Sequence, residues 1–201
     1  PNGRLGIKDK RWLIKDVVRI AERCHAQAIL LENVRGIYTA NKGRAFEVVI
    51  ETLAAHGYGR MEWRNLKASD ISAPHRRDRW FCIATTPHAS FSKWRLKEPE
   101  TVVTATGQTT ESRECVSSFG KWGPAIQRWE QAIGRDAPQY SIDTGKHHLI
   151  NPAFVEWMTG FPKGWITGLD LDYGETLRCL GNAVVPRQAS IAYKSLLNYL
   201  E

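Results

Sequence analysis

Along residues 11–85 the apolar residues change period from one stretch to the next, and this alternation limits the fold more than any other feature of the chain. From Arg11 to Cys24, the residues Leu13, Val17, Ile20 and Cys24 recur at helical spacing, with charges filling the other face. The run Ala28-Ile29-Leu30-Leu31 is apolar without a break and reads as a short buried strand whose end presents Glu32, followed by Asn33 and Val34. Gly36 and Asn41 to Gly43 mark a loop. Arg44 to His56 predicts a second helix with Phe46, Val49, Ile50 and Leu53 on its buried face, stopped at Gly57, since glycine takes the left-handed conformation cheaply. Tyr58 to Arg64 predicts a strand, Ser69 to Asp78 a polar loop, and Trp80 to Ala84 another buried strand. That order is part of an α/β sheet with an antiparallel pair at its end, and it holds too few strands for a complete doubly wound domain.

After Thr86 the composition shifts. Residues 87–122 are rich in Ser, Thr, Gly and Lys, and only Trp122 to Ile133 predicts a helix before residues 134–148 return to loop. Residues 87–148 are therefore expected to form a small lobe or insertion. A helical segment from Asn151 ends at Gly160, Glu175 to Leu180 predicts another helix, and Gly181 to Pro186 reads as a tight turn opening a last helix. Ala189, Ala192, Tyr193, Leu196 and Leu200 supply that helix's buried face. The expected divisions are 1–86, 87–148 and 149–201.

The net charge of +7 over 201 residues favours a polyanionic partner such as nucleic acid. No apolar run approaches the ~20 residues that cross a bilayer, and no signal peptide is visible. The four cysteines, Cys24, Cys82, Cys115 and Cys179, form no CxxC pair and suggest neither a metal site nor a disulfide framework. The reading is a reduced, intracellular protein.

Three constellations could carry chemistry. Glu32 at a strand end either caps a loop or acts at a site, because ligands of open α/β sheets bind at that end. Pro74-His75-Arg76-Arg77-Asp78-Arg79 leads arginines into a buried strand, where they need anions or acceptors. Alternation places Arg77 and Arg79 on one face, able to hold a phosphate, a base carbonyl or Glu32 itself, or else merely solvated. Gly181-Asn182-Ala183-Val184-Val185-Pro186 either holds a small ligand or simply starts a helix.

Taken in order, these motifs resemble the DNA (cytosine-5) methyltransferases of phage and bacterial, restriction–modification type. Glu32-Asn33-Val34 is similar to the family's Glu-Asn-Val motif. Pro74, His75, Arg77 and Arg79 are similar to its Pro-Gln-x-Arg-x-Arg motif, with histidine in place of glutamine. Gly181 to Pro186 is similar to its Gly-Asn-Ser-Val motif, with Ala183 in place of serine. The segment from Asn151 to Pro162 also resembles the stretch before that last motif.

The resemblance implies a partial Rossmann-like methyltransferase sheet with a small target-recognition lobe and a C-terminal helix returning to the sheet. It implies methyl transfer from S-adenosylmethionine to C5 of a cytosine flipped out of double-stranded DNA. Glu32 would donate to cytosine N3, Arg79 would hold O2 and Arg77 would order the site. Asn182 and Ala183 would line the cofactor pocket, and Arg76, Lys93, Arg95 and Arg113 would meet DNA.

The family's Pro-Cys nucleophile loop and its glycine-rich cofactor loop have no counterpart in the sequence, which begins at Pro1. The chain is thus expected to be the C-terminal part of such an enzyme. It would be inactive without an N-terminal methyltransferase half carrying the cysteine, and located in the cytoplasm of a bacterium or phage-infected host. The competing expectation is a non-catalytic DNA-binding or regulatory remnant.

Overall fold

The computed structural model describes residues 12–90, 119–145 and 147–200. These fall into two compact units. The first is built from residues up to 66, from 78–90 and from 190 onward; the second is built from 67–77 and from 119–189.

The first unit follows the helix–strand alternation of the sequence. It contains α1 (Ile14–Arg23), β1 (Ala28–Val34), two short 3-10 turns, α2 (Arg44–Ala55), β2 (Arg60–Lys67, whose last residue counts with the second unit) and β3 (Asp78–Thr85). The three strands form one sheet in the order β1-β3-β2. β3 lies in the middle and runs antiparallel to β1, with Ala28 opposite Thr85 and Val34 opposite Arg79. The antiparallel pair observed thus joins the first strand to the last of the three.

Side-chain alternation gives this sheet two distinct faces. Ile29 and Leu31 of β1 lie opposite Ala84 and Cys82, and Asn33 lies opposite Trp80. Those apolar side chains pack with Val18, Val49, Leu53 and Tyr58 into the unit's core. Burial at this site pushes the Cys82 thiol up to about 12. The other face carries Leu30, Glu32 and Val34 opposite Ile83, Phe81 and Arg79.

α1 buries Ile14, Val18 and Ala21 and leaves Leu13 and Ile20 more than half exposed. This corrects the stripe expected from Leu13, Val17, Ile20 and Cys24. Two overlapping stripes one residue apart both have helical spacing, and packing against Val49 and Leu53 selects the one through Val18. α2 ends as expected, with Gly57 in the left-handed region at φ 85°.

The second unit contains a 3-10 turn (Ala68–Ile71), α3 (Gly123–Ile133), the hairpin strands β4 (Ser141–Asp143) and β5 (His148–Ile150), α4 (Pro152–Thr159) and α5 (Tyr173–Asn182). The last helix, α6 (Pro186–Leu197), begins in this unit and continues into the first. The hairpin stands where the sequence predicts only loop. Its strands are three residues each, and their exposed side chains leave no period to read.

Trp129 is fully buried and donates from Nε1 to Trp157 O at 2.9 Å. Trp157 in turn donates to Arg135 O at 3.1 Å and stacks on Phe154. Gly160 ends α4 at φ 78°, and a Cβ there would stand 3.0 Å from the Trp129 ring.

Glu156 lies in α4 and is 2% exposed. It accepts from the backbone N–H groups of Gly164, Ile166 and Thr167 and from the Thr167 hydroxyl, at 2.6–2.9 Å. Burial alone would raise its pKa. The hydrogen bonds from Thr167, Ile166 and Gly164 outweigh burial and hold the carboxyl below its ordinary value.

Candidate active site

Glu32 lies inside β1, not beyond its end. β1 pairs with β3 through Val34, so the backbone stays extended past the acid. Glu32 therefore projects from the sheet face next to Phe81, its cross-strand partner. The diagonal neighbour on the same face is Arg79, two residues before Phe81, at a separation that long side chains span. Arg79 Nε meets Glu32 Oε1 at 2.9 Å, with the two side chains 17% and 24% exposed. Arg79 Nη1 donates to Asp78 O at 3.1 Å, and Arg35 pairs with Asp78 at 3.3 Å.

A cavity of about 200 Å³ lies against the core-facing side of β1, lined by Leu31, Asn33, Ile37, Val49 and Trp80 with Glu32 also among its lining residues; Arg79 does not line it. The site thus joins one acid and one guanidinium on a single sheet face. Such a set can exchange a proton or hydrogen bond with a planar polar ring and balance the charge that results.

Arg77 does not share the Arg79 face, contrary to the alternation expected from the sequence. β3 begins at Asp78, and Arg77 before it takes a left-handed backbone, φ 26°, so the strand period does not reach it. Its guanidinium turns to the second unit's C-terminal segment. It donates to Gly181 O from both terminal nitrogens, at 3.1 and 3.2 Å, and also to Ala183 O. Gln188, fully buried in α6, donates to the Arg77 carbonyl at 2.8 Å. His75 Nε2 lies 3.0 Å from Met158 O, which ties the arginine loop to α4.

Gly181 and Asn182 are the last residues of α5 rather than the opening of a turn. The chain becomes extended at Ala183, and Pro186 starts α6 as expected. Asn182 is exposed there and Ala183 half-buried. Arg76 is exposed, and its carbonyl accepts from Ala68 N. Lys93, Arg95 and Arg113 lie outside the described residues, as does Cys115. Cys24 and Cys179 are exposed thiols, and Cys82 is sealed in the core. Among the described residues, no group of acids, histidines and cysteines could hold a metal ion, and no helix is long and apolar enough to cross a membrane.

Sequence reasoning missed Gln188 and Glu156 as organising residues. The available signal was a polar residue inside an apolar helical stripe, since each sits where a neighbour at helical spacing is buried.

The family model described as C-5 cytosine-specific DNA methylase matches residues 2–119. The chain is 32% identical to the Type II methyltransferase M.NgoBI of Neisseria gonorrhoeae, over 90% of its own length and 64% of that protein. It is 29% identical to the Type II methyltransferase M.NlaIV of Neisseria lactamica, over 65% of its length and 33% of that protein. The chain therefore spans only part of these relatives. Among solved structures, a methyltransferase of Entamoeba histolytica, EhMeth, matches with a TM-score of 0.55 at 15% identity, covering 97% of this chain and 71% of that one, which shows the fold.

Proposed function

The chain belongs to the C-5 cytosine-specific DNA methylase family, and from that premise we propose that it supplies the acid half of cytosine methylation at C5. The observation that carries the reading is the Glu32–Arg79 pair on one sheet face, inside the segment the family model matches. C6 of cytosine is a poor electrophile until N3 is protonated or strongly hydrogen-bonded. Glu32 donates a proton or a strong hydrogen bond to N3 of a cytosine flipped from duplex DNA. The carboxylate left behind faces Arg79, so the charge that develops on proton transfer is met by a guanidinium already in place. Arg79, its Nε on Glu32 and its Nη1 on Asp78 O, takes the role the family resemblance implies, holding cytosine O2. Arg77 acts at one remove, holding the segment after α5 by its carbonyls.

The nucleophilic thiolate comes from an N-terminal methyltransferase half. Cys82 does not serve, being fully buried and protonated at neutral pH. S-adenosylmethionine would supply the methyl group for C5, after which a base removes the C5 proton and the cysteine leaves C6. The exposed Asn182 carboxamide, both donor and acceptor, fits the polar groups of that cofactor, and Ala183 beside it presents a small apolar surface. The Gly181 and Ala183 carbonyls are taken by Arg77 and are not part of that set. Residues 87–148 act as the target-recognition lobe, with Arg76, Lys93, Arg95 and Arg113 on DNA phosphates. The site of action is the cytoplasm of a bacterium or phage-infected host.

The test is methyl transfer to duplex DNA by the chain combined with that N-terminal half. Glu32→Gln is expected to lower the rate roughly 10²–10⁴-fold, the usual contribution of a general acid, with DNA affinity unchanged. Wild-type turnover by Glu32→Gln refutes the assignment. Salt-sensitive duplex binding with no methyl transfer by the wild-type pair favours a DNA-binding remnant instead.

A further inference from the structure

We propose that Tyr193 is a positioning residue for Glu32: its hydroxyl fixes the peptide joining Leu31 to Glu32, and so fixes where the carboxyl group stands. The inference rests on Glu32 being the acid of the proposed reaction and adds a residue that no sequence motif singles out.

Tyr193 Oη donates to Leu31 O at 2.9 Å. That oxygen shares one rigid peptide plane with the Glu32 N–H, so holding it restrains the rotation that aims the Glu32 Cα–Cβ bond. The Tyr193 ring meets Phe81 edge-on, with centroids 5.5 Å apart and planes at 82°. Phe81 is the residue directly opposite Glu32 in the sheet. Tyr193 therefore grips both strands at the level of the acid, its hydroxyl on β1 and its ring on β3. From the opposite direction Arg79 Nε holds the carboxylate itself.

Burial, and then the nearby charge of Glu32, push the phenol's pKa up, so Tyr193 remains a donor at neutral pH. Packing needs only the ring. Ala192 and Leu196 fill the core from the same helix, and the hydroxyl adds nothing that apolar contact requires.

Tyr193→Phe separates the two roles, because it keeps the ring on Phe81 and removes only Oη. The full chain, labelled with ¹³C at glutamate carboxyls and ¹⁵N at arginine Nε, is titrated by NMR. The variant is expected to fold as the wild type does and to displace the Glu32 carboxyl and Arg79 Nε–H resonances. Ser195→Ala, on the same helix but bonded to Arg64, leaves those signals in place.

Superimposable Glu32 and Arg79 signals in Tyr193→Phe overturn the proposal, as does an equal displacement in Ser195→Ala. In the methyl-transfer assay with the N-terminal half, Tyr193→Phe lowers kcat and leaves KM for DNA unchanged. Displaced signals together with wild-type turnover in both Tyr193→Phe and Glu32→Gln would uphold the positioning and refute the acid role.

Discussion

Replacing Glu156 by glutamine tests how the loop after α4 is held. The carboxylate answers four donors: Oε1 takes the N–H groups of Ile166 and Thr167, and Oε2 takes the Gly164 N–H and the Thr167 hydroxyl. A glutamine must turn its NH₂ toward one of these pairs. The less costly choice is the Oε2 side, where the Thr167 hydroxyl can rotate and accept, leaving only the Gly164 N–H opposed. An opposed donor costs about 1–3 kcal/mol, discounted here because Gly164 is reachable by water, and the remaining bonds lose their charge assistance. The expected loss is about 2–3 kcal/mol at pH 7.

The pH dependence has a definite sign. The folded carboxyl titrates below its ordinary value, so its contribution is complete above the unfolded pKa of about 4.3 and disappears as pH falls through the folded value. The gap between wild type and Glu156→Gln should therefore close in acid. Urea unfolding followed by tryptophan fluorescence reads it, since Trp129 and Trp157 are buried in the same unit. A difference below about 0.5 kcal/mol at pH 7, or one that widens on acidification, would refute the argument.

Gly160→Ala should cost about 1–3 kcal/mol in thermal unfolding, because alanine is strained at φ 78° and its Cβ meets the Trp129 ring at 3.0 Å. An unchanged Tm would mean that neither constraint acts. Arg77→Lys cannot reproduce a fork that reaches two carbonyls. Amide exchange over residues 182–185 should accelerate roughly tenfold, as for the loss of about 1.4 kcal/mol of local stability, and unchanged exchange would show that Arg77 does not hold the segment.

The helix–strand order of the first unit is legible in the sequence because each element has a clear period bounded by glycine or a polar loop. The α1 face is not, since Leu13 and Ile14 start equally good apolar stripes and only tertiary packing distinguishes them. Leu31 looks like the end of a strand because Glu32 and Asn33 are polar; cross-strand pairing with Phe81 and Trp80 carries the strand through them. The pairing of Glu32 with Arg79 was among the open possibilities. The separation of Arg77 from Arg79 is invisible in the sequence, because it depends on one backbone dihedral just before β3. Gly181 and Asn182 suggest a turn by composition, yet they complete α5, whose Asp172 cap and buried Leu180 outweigh a terminal glycine.

The burial of Cys82 gives the sheet a built-in clock. With a pKa of about 12, only about one thiol in 10⁵ is ionised at pH 7, and even that fraction is shielded on the central strand. An alkylating reagent that readily finds Cys24 and Cys179 must wait for β3 to leave its neighbours before it reaches Cys82. Where alkylation outpaces reclosing, the lag before Cys82 is modified measures the lifetime of the closed sheet, on a strand that also carries Arg79.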